Sequence, residues 1–160
     1  MLPRIGITLG DVAGIGPETT VKTLLEHPEL REAYTPVVVG DAGALRRAAA
    51  LLGHDPTAVV EIADPGDARN APDAIEVLQV GDPLPELPFG ELSPIAGDAA
   101  YRFVVEACRL AREDAIDGIA TAPLNKAAMH AGGHRWPGHT ELLAHQFGVT
   151  DYSLVLSAGE

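Results

Sequence analysis

The run Arg4-Ile-Gly-Ile-Thr-Leu-Gly-Asp-Val-Ala-Gly-Ile-Gly-Pro-Glu-Thr-Thr-Val-Lys-Thr-Leu-Leu-Glu26 decides the fold. Residues 4–8 are short and rich in β-branched side chains, the mark of a strand. Residues 17–26 put Val21, Leu24 and Leu25 on one helical face behind Pro17, a residue suited to a first helical turn. Between them stand Gly10, Gly14 and Gly16, where bare backbone can approach a ligand and helix amides can meet an anion. The turn is not a P-loop, because the lysine and hydroxyl of that motif are missing. It is not a dinucleotide fingerprint either, because Thr19 stands where the third glycine belongs. A tight turn accounts for Gly16-Pro17 equally well when no other residues are considered.

The same alternation continues outward. Strands are expected over 35–39, 59–62, 75–80, 116–121 and 153–156. Asp41 can cap a helix presenting Leu45, Ala48, Leu51 and Leu52. A third helix over 98–114 carries Phe103, Val104, Ala107, Leu110 and Ala111 as one stripe. Strands alternating with helices predict an α/β fold with a largely parallel sheet. Pro83, Pro85, Pro88 and Pro94 interrupt regular structure, and a candidate boundary between two lobes falls within 81–97. The sequence stops at residue 160, just after the expected strand over 153–156, which predicts a truncated chain.

The 160 residues carry 11 Lys and Arg against 23 Asp and Glu, a net charge of −12. That balance argues against nucleic acid or an anionic membrane as partner, and no stretch approaches the roughly 18 apolar residues of a span. A soluble cytoplasmic protein acting on small solutes is the expectation. Cys108, alone of its type, sits in the helical stripe and reads as a small buried hydrophobe.

Against this acidic background, residues 118–140 contain no Asp or Glu but hold Lys126, His130, His134, Arg135 and His139. The segment reads as a local anion-binding patch. Asn125 is a plausible N-cap, which would put Lys126 where a helix dipole disfavours a cation, a conflict of the kind found at functional sites. Thr140 reads as the N-cap of a helix beginning Glu141, with the His139 ring beside the helix amides. His130 and His134 have the i, i+4 spacing of a helical metal pair, but Gly132-Gly133 between them argues against one continuous helix face. Trp136-Pro137 is expected to pack and stiffen the approach to His139.

Three motifs in order, Gly10-Asp11-x-Ala13-Gly14-Ile15-Gly16-Pro17-Glu18, Thr121-x-Pro123-x-x-Lys126 and Gly138-His139-Thr140-Glu141, resemble the 4-hydroxythreonine-4-phosphate dehydrogenase family. The resemblance implies an isocitrate/isopropylmalate-dehydrogenase-like fold of two lobes, of which this chain would be the N-terminal part. It implies oxidation, with decarboxylation, of a 4-phosphorylated hydroxy acid by NAD or NADP, assisted by a divalent metal (Zn, Mg, Mn or Co), in a cytoplasmic homodimer. It assigns substrate binding to His139 and Thr140, gives Lys126 a catalytic role, and puts Gly14 and Gly16 on the cofactor cleft. The family's three metal-binding histidines would lie beyond residue 160, so the chain alone should be inactive. Ala122 and Asn125 resemble a branch acting on 4-phospho-D-threonate more than the vitamin B6 biosynthetic enzyme. A phosphate acyltransferase of the same broad fold is the competing expectation.

Overall fold

The computed structural model describes residues 2–157. Its strands are β1 (Arg4–Thr8), β2 (Thr35–Gly40), β3 (Val59–Ile62), β4 (Ile75–Gln79) and β5 (Gly118–Thr121), and its helices α1 (Gly16–Glu26), α2 (Ala42–Leu51), α3 (Pro94–Arg112), α4 (Lys126–Ala131) and α5 (His139–Phe147). The strands form one five-stranded sheet in the order β3-β4-β2-β1-β5, parallel at every pairing. This is the expected α/β architecture. A parallel strand covered on both faces needs an unbroken apolar run, and β2 supplies Val37, Val38 and Val39, each fully buried. Successive side chains leave a strand on opposite faces. Val38 accordingly joins a cluster with Val21 of α1 and Leu45 of α2, whereas Val39 joins Ala107 and Leu110 of α3.

Local chemistry sets the helix starts. The Asp41 carboxylate caps α2 by accepting from the Ala44 amide at 2.7 Å, as expected. The third helix begins at Pro94, not residue 98: the Ser93 hydroxyl accepts from the Ala96 amide at 3.3 Å, and the proline occupies the first turn, where its missing N–H costs nothing. β5 begins at Gly118, two residues later than expected; just before it the Asp117 amide donates to the Arg4 carbonyl at 2.8 Å and its carboxylate accepts from the Arg4 amide at 2.7 Å.

The expected strand over 153–156 is absent. Leu154, Val155 and Leu156 are 72%, 82% and 87% exposed, and no strand among the described residues pairs with them. Apolar β-branched composition makes a strand only where a neighbour completes the ladder. Residues 81–93 are an irregular connection tied to the sheet's helices. The Leu84 amide donates to Asp41 at 2.9 Å, Gly90 donates to the Ala13 carbonyl at 2.7 Å, and Leu84 and Leu87 pack on the main cluster. The strands on either side of this connection, β4 and β5, lie in the same sheet. Among the described residues no helix is long and apolar enough to cross a membrane.

Candidate functional site

β1 lies between β2 and β5, so the chain leaves it towards one side of the sheet and returns on the other. At such a switch point the loops leaving the carboxyl ends of two adjacent strands part and open a crevice. Here the loops after β1 and β5 enclose a cleft of about 570 Å³ lined by Asp11, Gly14, Ile15, Pro123, Leu124, Asn125 and Lys126. Two of the motifs read from the sequence therefore meet at one place.

The two loops are bonded to each other. The Asp11 amide donates to the Pro123 carbonyl at 2.9 Å, and the Ala122 amide to the Thr8 carbonyl at 3.0 Å. Gly10 makes the approach possible: its φ is +68°, and a Cβ there would stand 2.3 Å from the Pro123 oxygen. The buried Asp11 carboxylate accepts from the Ala13 amide at 2.9 Å, closing the turn. Behind the loop, the Arg47 guanidinium stacks 4.4 Å from the Phe89 ring centre and reaches the Val12 carbonyl at 3.4 Å.

Gly14 lies on the cleft wall, and Gly16 does not. A Cβ on Gly16 would meet the Leu9 carbonyl oxygen at 2.2 Å, so its bareness serves the close seating of α1 behind the strand exit. Lys126 is the first residue of α4, and Asn125 caps the helix by accepting from the Ala128 amide at 3.1 Å, as expected. The exposed Lys126 ammonium reaches towards the start of α5, its Nζ 3.8 Å from where a Cβ on Gly138 would sit.

His139 stands beside Lys126 but is not among the residues lining the cleft. Burial first, and the Lys126 charge second, hold its pKa below the ordinary 6.5, so the imidazole is neutral at pH 7. Its Nε2 is buried with no hydrogen-bond partner among the described residues. Thr140 is not the N-cap. The helix starts two residues earlier than expected, at His139, with Gly138 in the capping position and no side-chain cap. Thr140 lines a separate, mostly apolar groove of about 520 Å³ with Leu143, Phe147, Tyr152 and Leu154. The structure thus brings Gly14 and Lys126 to one cleft, puts His139 next to Lys126, and leaves Gly16 and Thr140 off its walls.

The histidine pair falls apart because α4 ends at Ala131. His130 Nε2 is 3.0 Å from the Trp136 carbonyl, and His134 Nε2 is 2.8 Å from Asp98 Oδ1. Among the described residues no group of three or more His, Cys, Asp or Glu is disposed to hold a metal. Cys108 is fully buried, and burial pushes its thiol up to about 11, which leaves it unreactive. Trp136 packs on Val104, Cys108 and Leu142, the packing expected of it. Sequence reading did not single out Asp11, although an Asp two residues before a loop amide is an Asx-turn signal, and the Asp98 partnership of His134 left no local trace.

The depressed pKa of His139 has a consequence for stability. Between its folded value and 6.5 the unfolded chain binds more protons than the folded one, so stability falls as pH drops through that window. His139→Gln is expected to lose less stability than the parent between pH 7.5 and 5, measured by urea unfolding. Parallel pH curves for the two proteins would show that burial of the imidazole does not weigh on the fold.

The description "Pyridoxal phosphate biosynthetic protein PdxA" matches residues 32–160. The D-threonate 4-phosphate dehydrogenase of Bordetella bronchiseptica is 58% identical over 99% of this chain and 45% of its own length. The 4-hydroxythreonine-4-phosphate dehydrogenase of Trichlorobacter lovleyi is 36% identical over 97% of this chain and 46% of its own. The crystal structure of a 4-hydroxythreonine-4-phosphate dehydrogenase from Burkholderia phymatum superposes with a TM-score of 0.88 at 47% identity, covering 94% of this chain and 45% of that one. The chain thus spans under half the length of the curated relatives it matches. With the family description covering most of its residues and the cleft built from the expected motifs, the chain belongs to the PdxA family.

Proposed function

We propose that this sequence, in a protein of its relatives' full length, serves an NAD(P)-dependent dehydrogenase that oxidises and decarboxylates a 4-phosphorylated hydroxy acid. The observation that carries this reading is the Lys126 ammonium beside a neutral His139, next to the cleft at the ends of β1 and β5. D-threonate 4-phosphate is the favoured substrate, supported by 58% identity to a relative of that name against 36% to the 4-hydroxythreonine-4-phosphate enzyme.

In this reading Lys126 holds an anionic group of the substrate, and His139 offers Nε2 to a substrate oxygen. Because the His139 Nε2 is buried and Thr140 lines a separate groove, both reach the substrate only if the first turn of α5 rotates towards the cleft. Gly14 leaves the cleft wall bare for close approach. A nicotinamide would accept the hydride, and a divalent cation would stabilise charge on the substrate oxygens. The described residues offer neither a cluster of three metal donors nor a dinucleotide glycine fingerprint, so neither group is assigned a residue of this chain. Residues 1–160 alone are accordingly proposed to be inactive, and a cytoplasmic homodimer belongs to the same proposal.

The test is reduction of NAD or NADP by the full-length protein with each phosphorylated acid and added divalent metal. A kcat/KM at least about tenfold higher for D-threonate 4-phosphate is expected. Higher turnover of 4-hydroxythreonine 4-phosphate would reassign the substrate. Acyl transfer to phosphate without nicotinamide reduction would replace the reading with the acyltransferase.

A further inference from the structure

His134 belongs to neither the cleft nor any metal cluster among the described residues, yet two side chains of α3 hold it. Its Nε2 is 2.8 Å from Asp98 Oδ1, and its ring stacks on Tyr101 with centroids 3.7 Å apart at 9°. Asp98 is itself held from the other side, its Oδ2 lying 2.9 Å from Arg102 Nε as an ion pair. All three partners sit on the N-terminal half of α3. The end of α4 rests on the same surface, where a Cβ on Gly132 would be 2.7 Å from the Pro94 carbonyl and from the Asp98 amide. From that anchorage the chain runs four residues to Gly138, which stands against Lys126, and then enters α5 at His139.

We propose that His134, fixed by Asp98 and Tyr101, is a positioning residue for the Lys126–His139 pair. It latches the loop over 132–138 to α3, so that Gly138 stays against the Lys126 ammonium and the His139 ring enters α5 beside it. The side chains of His134 and Asp98 are 25% and 40% exposed, and a pair so open to water contributes little to global stability. Its work is therefore local. The proposal deepens the function proposed above and rests on it for the substrate readout, whereas the latch itself can be read without turnover.

Two arms test it. In the full-length protein, His134→Ala is expected to raise KM for the phosphorylated acid about tenfold while kcat and the nicotinamide KM stay within about twofold. His134→Gln, which can still donate to Asp98, should recover most of that loss, and Asp98→Leu should reproduce it. On this chain alone, amide hydrogen exchange at residues 135–140 should quicken about tenfold in His134→Ala, with β1 and β2 unaffected. Unchanged exchange at 135–140, or an increase spread evenly over the sheet, overturns the latch. Quickened local exchange with an unaltered KM overturns the positioning role. Failure of the full-length protein to turn over any phosphorylated hydroxy acid refutes the proposed function, and the exchange arm then still decides the latch.

Discussion

Gly97→Ala is expected to cost on the order of 3 kcal/mol or more, although helix propensity alone would favour the alanine by about 1 kcal/mol. A Cβ at this position of α3 would lie 2.0 Å from the Ala128 carbonyl oxygen, 2.1 Å from its carbon and 2.4 Å from the Met129 nitrogen. These are backbone atoms, so no rotamer change can relieve the overlap. α4 would have to lift off α3, carrying Lys126 with it. Urea unfolding checks this through the midpoint, and a variant as stable as the parent would mean that α4 does not seat on α3 as described.

Lys126→Met in the full-length protein is expected to weaken the phosphorylated substrate by about 1.5–3 kcal/mol, roughly 10- to 150-fold, with much less effect on its dephosphorylated analogue. Because the lysine is exposed, screening puts the loss at the lower end in physiological salt, and the difference between variant and parent should shrink as salt rises. Stability should move the other way. A cation at the first position of α4 opposes the helix dipole, and its removal should be neutral or worth a few tenths of a kcal/mol. Equal loss for both ligands would assign the lysine a structural or general catalytic role.

These two positions differ in how far the sequence reveals them. Lys126 was legible because a cation after an N-cap, inside a segment free of acids, breaks a local rule. The strand pattern was legible for the same local reason: β1 and β3 fall where their β-branched runs end, and Asp41 and Asn125 cap helices through bonds to residues three positions on. Gly97 carried no such signal, since its partner atoms come from α4, far along the chain. The starts of α3 and α5 differ from the sequence expectation for a related reason. Ser93-Pro94 belonged by composition to a proline-rich connection, and Thr140 is a good cap by type but lies inside the first turn because Gly138 docks on Lys126. The exposed run over 153–156 had the right composition for a strand and lacked a partner among the described residues. The grouping of Gly14 with Lys126 at one cleft required the sheet order, which places β5 against β1.

That sheet order also has a meaning in time. β1 leaves the ribosome well before β5, and one of its two edges is closed only by β5, whose pairing is accompanied by a bond between Arg4 and Asp117, residues 113 positions apart. At roughly 5–20 residues per second, that edge waits about 6–23 s during synthesis before its partner exists. Through that interval β1 and β2 can pair and α1 can dock, while the Ile5 and Ile7 strand still presents unpaired amides and carbonyls to any other nascent chain. The cleft forms at the same late moment, because one of its walls is the loop after β5. The candidate cleft is therefore completed at the same stage of synthesis that closes this edge of β1, and a cell making the protein quickly at high density would need a chaperone most before that point.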